Sequence, residues 1–193
     1  MGKAIVLHTT RYSDTGSIVH IYTAEHGRMQ YAVYGNKLKG VLQPLSIIEY
    51  TANFRNNAPG KIGTLSSASL LHTPTQLSTD IQRQCVAMFM AEILLNTLRH
   101  PMSDQPLFDW LCRMIMHLDQ ATDISNLHLH FLIEYATFIG FGIDDTEHPE
   151  WFLVPRNRLE RQQRLRELTT YYEQHIEDFR VPKSLDVLIE VFD

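Results

Sequence analysis

Cysteine is nearly absent from this chain. Two are found among 193 residues, Cys85 and Cys112. They lie far apart, each inside a helical pattern and neither in a CxxC pair. Each therefore reads as a small apolar core thiol rather than a metal ligand or half of a disulfide. Long apolar runs are missing too, so nothing reaches the roughly 20 residues that cross a bilayer. In the opening MGKAIVLHTTRY, the apolar segment stops after residue 7, too short for a signal peptide. Val6 stands where a myristoylation motif requires Ser or Thr. There is no internal repeat and no low-complexity tract. No phosphate loop, GxSxG elbow, HExxH pair or dinucleotide fingerprint is present. These absences predict a cytoplasmic, non-enzymatic chain that needs no membrane and no cofactor.

Charge of one sign is scarce in the first part of the chain. The whole carries a net charge of -5, which by itself speaks against a polyanion partner. Yet residues 1–72 hold seven basic side chains against three acidic ones, and the remainder holds ten against 19. A basic N-terminal part can dock on phosphates while the acidic part faces water or protein.

The hydrophobic pattern changes at the same place. KAIVLHTTRY is a β-branched run ending in a polar SDTG turn. SIVHIYTAEHGRMQYAVYG alternates on both sides of Gly27, which is the signature of a hairpin. LQPLSIIEYTANFR adds a strand with Pro44 at its entry, and IGTLSSASLLH adds a fifth. Five short strands in about 70 residues predict a small closed barrel. Helical periods follow. In the first helix Ile81, Cys85, Met88, Phe89 and Ile93 mark a core stripe, with Ser78 or Thr79 as cap. Three further helices are predicted within residues 105–118, 124–141 and 156–179, the second ended by Gly140. SLDVLIEVF closes the chain as a short helix. The expected domains are residues 1–75 and 76–193.

The order and spacing of these elements resemble the RecO family of bacterial recombination mediators. The likeness rests on GKAIVLHTTRYSDTGSIVHIYTAEHGRMQYAVYG, on LQPLSIIE at residues 42–49, and on FMAEILLNTLRHPMSDQPLFDWL followed by HLHFLIEYATFIGFG. It spans nearly the whole chain. It implies an N-terminal OB-fold barrel followed by an all-α helical bundle, and a role in the RecF pathway of DNA repair. It also implies binding of single- and double-stranded DNA, annealing of complementary strands, and assistance to RecA loading. The implied partners are RecR and the C-terminal tail of single-stranded-DNA-binding protein, with RecA reached indirectly. Many relatives carry a four-cysteine zinc site after the stretch that here reads FIGFGIDD. No cysteine follows it in this chain, so no metal is expected. The basic loop GNKLKG is also shorter than in relatives.

The candidate DNA-binding residues are Lys37 and Lys39 in that loop, with Tyr31 and Tyr34 beside it. Phosphates call for mobile cations, and unpaired bases for aromatic faces. Arg11, Arg28, Arg55 and Lys61 lie near strand ends and can line the same groove. Tyr12, Tyr22 and Phe54 read as core or rim aromatics. His128 and His130, two apart, point to different helix faces, and no third metal ligand joins His130 and Glu134. The fourth helix crowds Arg156, Arg158, Arg161, Arg164 and Arg166 near its N-terminus, against the macrodipole. Either an anionic partner or internal pairing with Glu160 and Glu167 accounts for that. A barrel that binds only proteins is the alternative function.

Overall fold

The computed structural model describes residues 1–53, 62–99, 102 and 104–192. Five strands come first: β1 Gly2–Arg11, β2 Gly16–Thr23, β3 Gly27–Tyr34, β4 Ile47–Asn53 and β5 Gly63–Leu70. They close into a barrel in the order β1-β2-β3-β5-β4, with β3 and β5 parallel and the other pairs antiparallel. This is the OB-fold barrel. Closure removes free sheet edges, and alternate residues fill the interior. Val6, Val19, Ile21, Tyr31, Val33, Ile48 and Tyr50 are among the buried core residues. Gly27 turns the hairpin with φ 63°, a left-handed conformation that glycine adopts without steric cost.

One strand starts later than its sequence suggests. β4 begins at Ile47, three residues beyond Pro44. Just before it, Leu45 takes φ 60° with its side chain fully buried. Its amide donates to Val6 O at 2.8 Å, and the Val6 amide donates to Ser46 O at 2.9 Å. Burial and two backbone bonds offset a left-handed conformation that costs a non-glycine residue about 1 kcal/mol.

The helices are α1 Ile81–Thr97, α2 Gln105–Gln120, α3 Leu127–Phe138, α4 Arg158–His175 and α5 Ser184–Val191, with a single 3-10 turn at Pro149–Phe152. Among the described residues, no helix is long and apolar enough to cross a membrane. The chain forms two compact units, Met1–Thr75 with Leu98–Met116, and Gln76–Thr97 with His117–Asp193. One crossing between them follows residue 75, and residues 98–116 return to the first unit. Within that unit the Tyr22 ring, on the outer face of β2, lies 6.3 Å from Phe108 of α2. An outer cover explains why residues 4–7 are all buried although strand residues alternate between faces.

In the second unit, α1 is buried over most of its circumference, including Val86, Phe89, Met90, Ile93 and Leu94. The predicted stripe is therefore corrected. Ile81 and Met88 are exposed, because a helix apolar nearly all round gives periodicity no single face to select. The cap is Asp80 rather than Ser78 or Thr79. Its Oδ1 accepts from the Gln82 amide at 2.8 Å and the Arg83 amide at 3.4 Å. Buried Arg83 donates to Leu118 O and, at 2.6 Å, to Ala121 O at the C-terminal end of α2.

His128 and His130 do face apart: His128 is buried in α3 and His130 is exposed. Burial first, then the charge of Arg161, pushes the His128 pKa down to about 3. The folded chain thus keeps His128 neutral at a pH where the unfolded chain protonates it. Its contribution is complete above about pH 6.5 and is lost as pH falls toward the folded value, by about 1.4 kcal/mol per pH unit. Urea titrations at pH 6.5 to 4.5 should show wild type losing stability faster than His128→Leu, with slopes differing by about one proton. Parallel slopes would contradict the buried neutral imidazole.

Candidate nucleic-acid interface

The predicted residues divide among several places. Two chain turns meet at one end of the barrel, the β1–β2 turn at residues 12–15 and the connection that leaves β3 at Gly35. The Gly35 amide donates to Thr15 O at 2.8 Å, with φ 75° at the glycine. Gly16 pairs with Tyr34 across β2 and β3. The Tyr12 ring crosses Gly16 so closely that a Cβ there would lie 2.5 Å from the ring. A side chain at 16 would push this exposed ring aside. The Tyr34 hydroxyl beside Tyr12 raises the Tyr12 pKa above its ordinary value. Both rings are largely open, at 53% and 63% exposure. Two adjacent, solvated aromatic faces result, rare on a surface because water gains little from them.

Lys37 and Lys39 follow directly and are exposed. Their segment is an anchored turn. The Lys39 amide donates to Asn36 O at 3.2 Å, and the Val41 and Leu42 amides donate to Leu38 O, each at 3.0 Å. Leu42 is part of the barrel core, and Leu38 and Val41 pack against it. Apolar anchors hold the backbone while the lysines project into water. Arg11 belongs to the same end but is committed to shaping it. Its Nε donates to Ser13 O at 3.0 Å and its Nη2 to Asp14 O at 2.7 Å. Its side chain stays 67% exposed, so one face of the guanidinium remains accessible.

The other candidates lie elsewhere. Tyr31 is corrected: it is 2% exposed, inside the barrel, with its ring 5.7 Å from Tyr50. Its strand parity points it inward, so it offers no stacking face. Arg28 stands opposite Tyr22, six residues from Tyr34 along β3, or about 20 Å at strand rise. Burial, then the charge of Arg99, lowers its pKa. Arg28 is therefore not part of the tyrosine–lysine end. Arg55, Lys61 and Phe54 lie outside the described residues. Tyr12 was missed as an exposed aromatic. Its place at the entry of the polar SDTG turn was the available signal, since nothing apolar surrounds it in sequence.

A four-cysteine zinc site does not fit these residues. Cys85 lies in α1 and Cys112 in α2, in different units, and burial pushes the Cys112 thiol up to about 11. In the acidic loop, Asp144 Oδ1 already accepts from the amide and hydroxyl of Thr146. Among the described residues no three His, Cys, Asp or Glu side chains gather as ligands.

Residues 1–74 match the family model described as recombination protein O N terminal, and residues 78–148 match its C-terminal counterpart. The chain belongs to the RecO family. A protein of Phocaeicola vulgatus called DNA repair protein RecO is 33% identical, over 97% of this chain and 97% of its own. A Bacteroides fragilis RecO is 30% identical over 98% and 97%. One from Porphyromonas gingivalis is 27% identical over 100% and 99%. The RecO N-terminal match covers the whole barrel, including both turns that carry Tyr12, Tyr34, Lys37 and Lys39.

Proposed function

We propose that this RecO-family chain is a DNA repair and recombination mediator that holds single-stranded DNA at the tyrosine–lysine end of its barrel. The observation that carries the reading is the juxtaposed pair Tyr12 and Tyr34, exposed and next to Lys37 and Lys39. Aromatic faces stack on unpaired bases of any sequence, and lysines neutralise phosphates. Duplex DNA offers only its phosphates there and binds through the lysines alone. Annealing then needs no bond chemistry. Cations screen the repulsion between two strands and raise their local concentration, and base pairing does the rest. On this reading residues 1–75 form the nucleic-acid domain. Residues 76–193 recruit proteins, with RecR and the tail of single-stranded-DNA-binding protein as the partners, and so assist RecA loading.

The test separates stacking from charge. Tyr34→Ala combined with Tyr12→Ala should weaken binding of a labelled oligothymidine about tenfold or more. Duplex affinity should change less than twofold, and annealing of complementary oligonucleotides should slow in proportion to single-strand binding. Equal losses on single strands and duplex would remove the stacking role.

A further inference from the structure

The arginine-rich helix α4 has a face that the barrel site leaves unexplained. Leu159, Gln162, Gln163, Arg166, Thr170 and Gln174 recur at steps of three and four and line an open pocket of about 730 Å3. Its aromatic wall is preassembled. His148 lies parallel to Trp151, with ring centroids 4.0 Å apart and planes at 6°. Tyr171 stands edge-on to Trp151 at 5.5 Å and to His148 at 6.1 Å. The Trp151 indole N–H donates to Glu167 Oε2 at 3.1 Å, and the Gln163 amide donates to Glu167 Oε1 at 2.8 Å. The carboxylate in the lining therefore has both oxygens engaged in holding the wall.

Several polar groups in and around α4 are committed. Asn157 Oδ1 caps the Glu160 amide at 3.0 Å, and the Glu160 carboxylate accepts from the Arg156 amide. Buried Arg164 donates to Leu153 O, and Arg161 lies over the Phe192 ring at 5.7 Å. Arg166 is different: exposed, and on the pocket face.

We propose that this pocket takes an unpaired base of single-stranded DNA, with Arg166 on the neighbouring phosphate. The inference rests on the reading of the chain as a single-strand binder and adds a second site to it. Three features favour a nucleotide. Half-buried His148 and Tyr171 present aromatic surface that meets bases irrespective of sequence, while buried Trp151 backs the wall. The Gln174 amide and the Thr170 hydroxyl both donate and accept, as base edges require. A guanidinium matches phosphate geometry. The open volume leaves room for a nucleotide. A peptide anchored by apolar side chains would favour deep sockets over a shallow, open pocket of mixed aromatic and polar lining. Apart from His148, the lining lies beyond the stretch matched by the family model, which ends at residue 148.

Photo-crosslinking of the full chain to an oligothymidine carrying 5-iododeoxyuridine, with peptide mapping, tests it. Crosslinks are expected at His148 or Tyr171 as well as at Tyr12 or Tyr34. Arg166→Glu should lower the yield at the helical pocket at least fivefold and leave the barrel crosslinks unchanged. Lys37→Glu with Lys39→Glu should do the reverse. Crosslinks confined to the barrel would overturn the pocket and leave the proposed function standing. No crosslink anywhere would overturn both. An acidic peptide with a benzophenone label that reacts at Tyr171, where the oligonucleotide does not, would make the pocket a peptide dock and overturn it as well.

Discussion

Reversing both lysines, Lys37→Glu with Lys39→Glu, raises the dissociation constant for single-stranded DNA about 10- to 100-fold near 0.1 M salt. The expectation follows from counterion release. Each cation paired with a single-strand phosphate contributes about 0.7 to the slope of log K against log salt. Losing two should reduce that slope by about 1.4, and the introduced carboxylates add repulsion. The fold should not suffer. Both side chains are exposed, and the turn between them is anchored by Leu38, Val41 and Leu42. Melting temperature should hold within about 2 °C, since exposed charge changes usually move stability by under 0.5 kcal/mol. The neutral pair Lys37→Gln with Lys39→Gln should lose the same slope with a smaller drop in affinity. An unchanged slope in either variant means that these lysines do not meet phosphates.

The largest stability effect is expected at a side chain with no part in binding. Asp119 is fully buried. Its Oδ1 accepts from the Gln76 amide at 2.9 Å and the Leu77 amide at 2.7 Å. These bonds fasten the segment before α1 to the C-terminal end of α2 within the second unit. Asp119→Ala leaves both amides without that acceptor, and each unmet group costs about 1–3 kcal/mol. About 3 kcal/mol in total should appear as a melting point roughly 8 °C lower. Asp119→Asn keeps one acceptor oxygen for these amides while losing the charge and exchanging the other oxygen for an NH2 donor, so it should cost about half as much. Wild-type melting of the alanine variant would show that the carboxylate carries no such load.

The barrel and the helices were legible because their patterns have distinct periods. β2 and β3 pair in continuous register about Gly27, and Leu107, Leu111 and Leu118 of α2 all fall on the buried side. Legibility failed where several faces are covered. α1 is apolar nearly all round, so its period could not tell Met88 from Met90. It also failed where strand parity decides. Tyr31 and Tyr34 are equally aromatic and three residues apart, which sends one into the barrel and the other into solvent. Tyr12 lies across Gly16 beside Tyr34, a contact that no linear spacing encodes. The aromatic pocket beside α4 escaped for a similar reason. His148 and Trp151 meet Tyr171 from 20 or more positions away in sequence.

The central claim is that the barrel end binds single strands through phosphate charge and base stacking. Fluorescence anisotropy of a labelled oligothymidine, titrated with the full chain at several salt concentrations, tests it most directly. The account predicts binding that weakens linearly in log K with log salt, and a slope that shrinks by about 1.4 in the double lysine reversal. Absence of binding at low salt, or a salt dependence identical in wild type and the reversal, would contradict it.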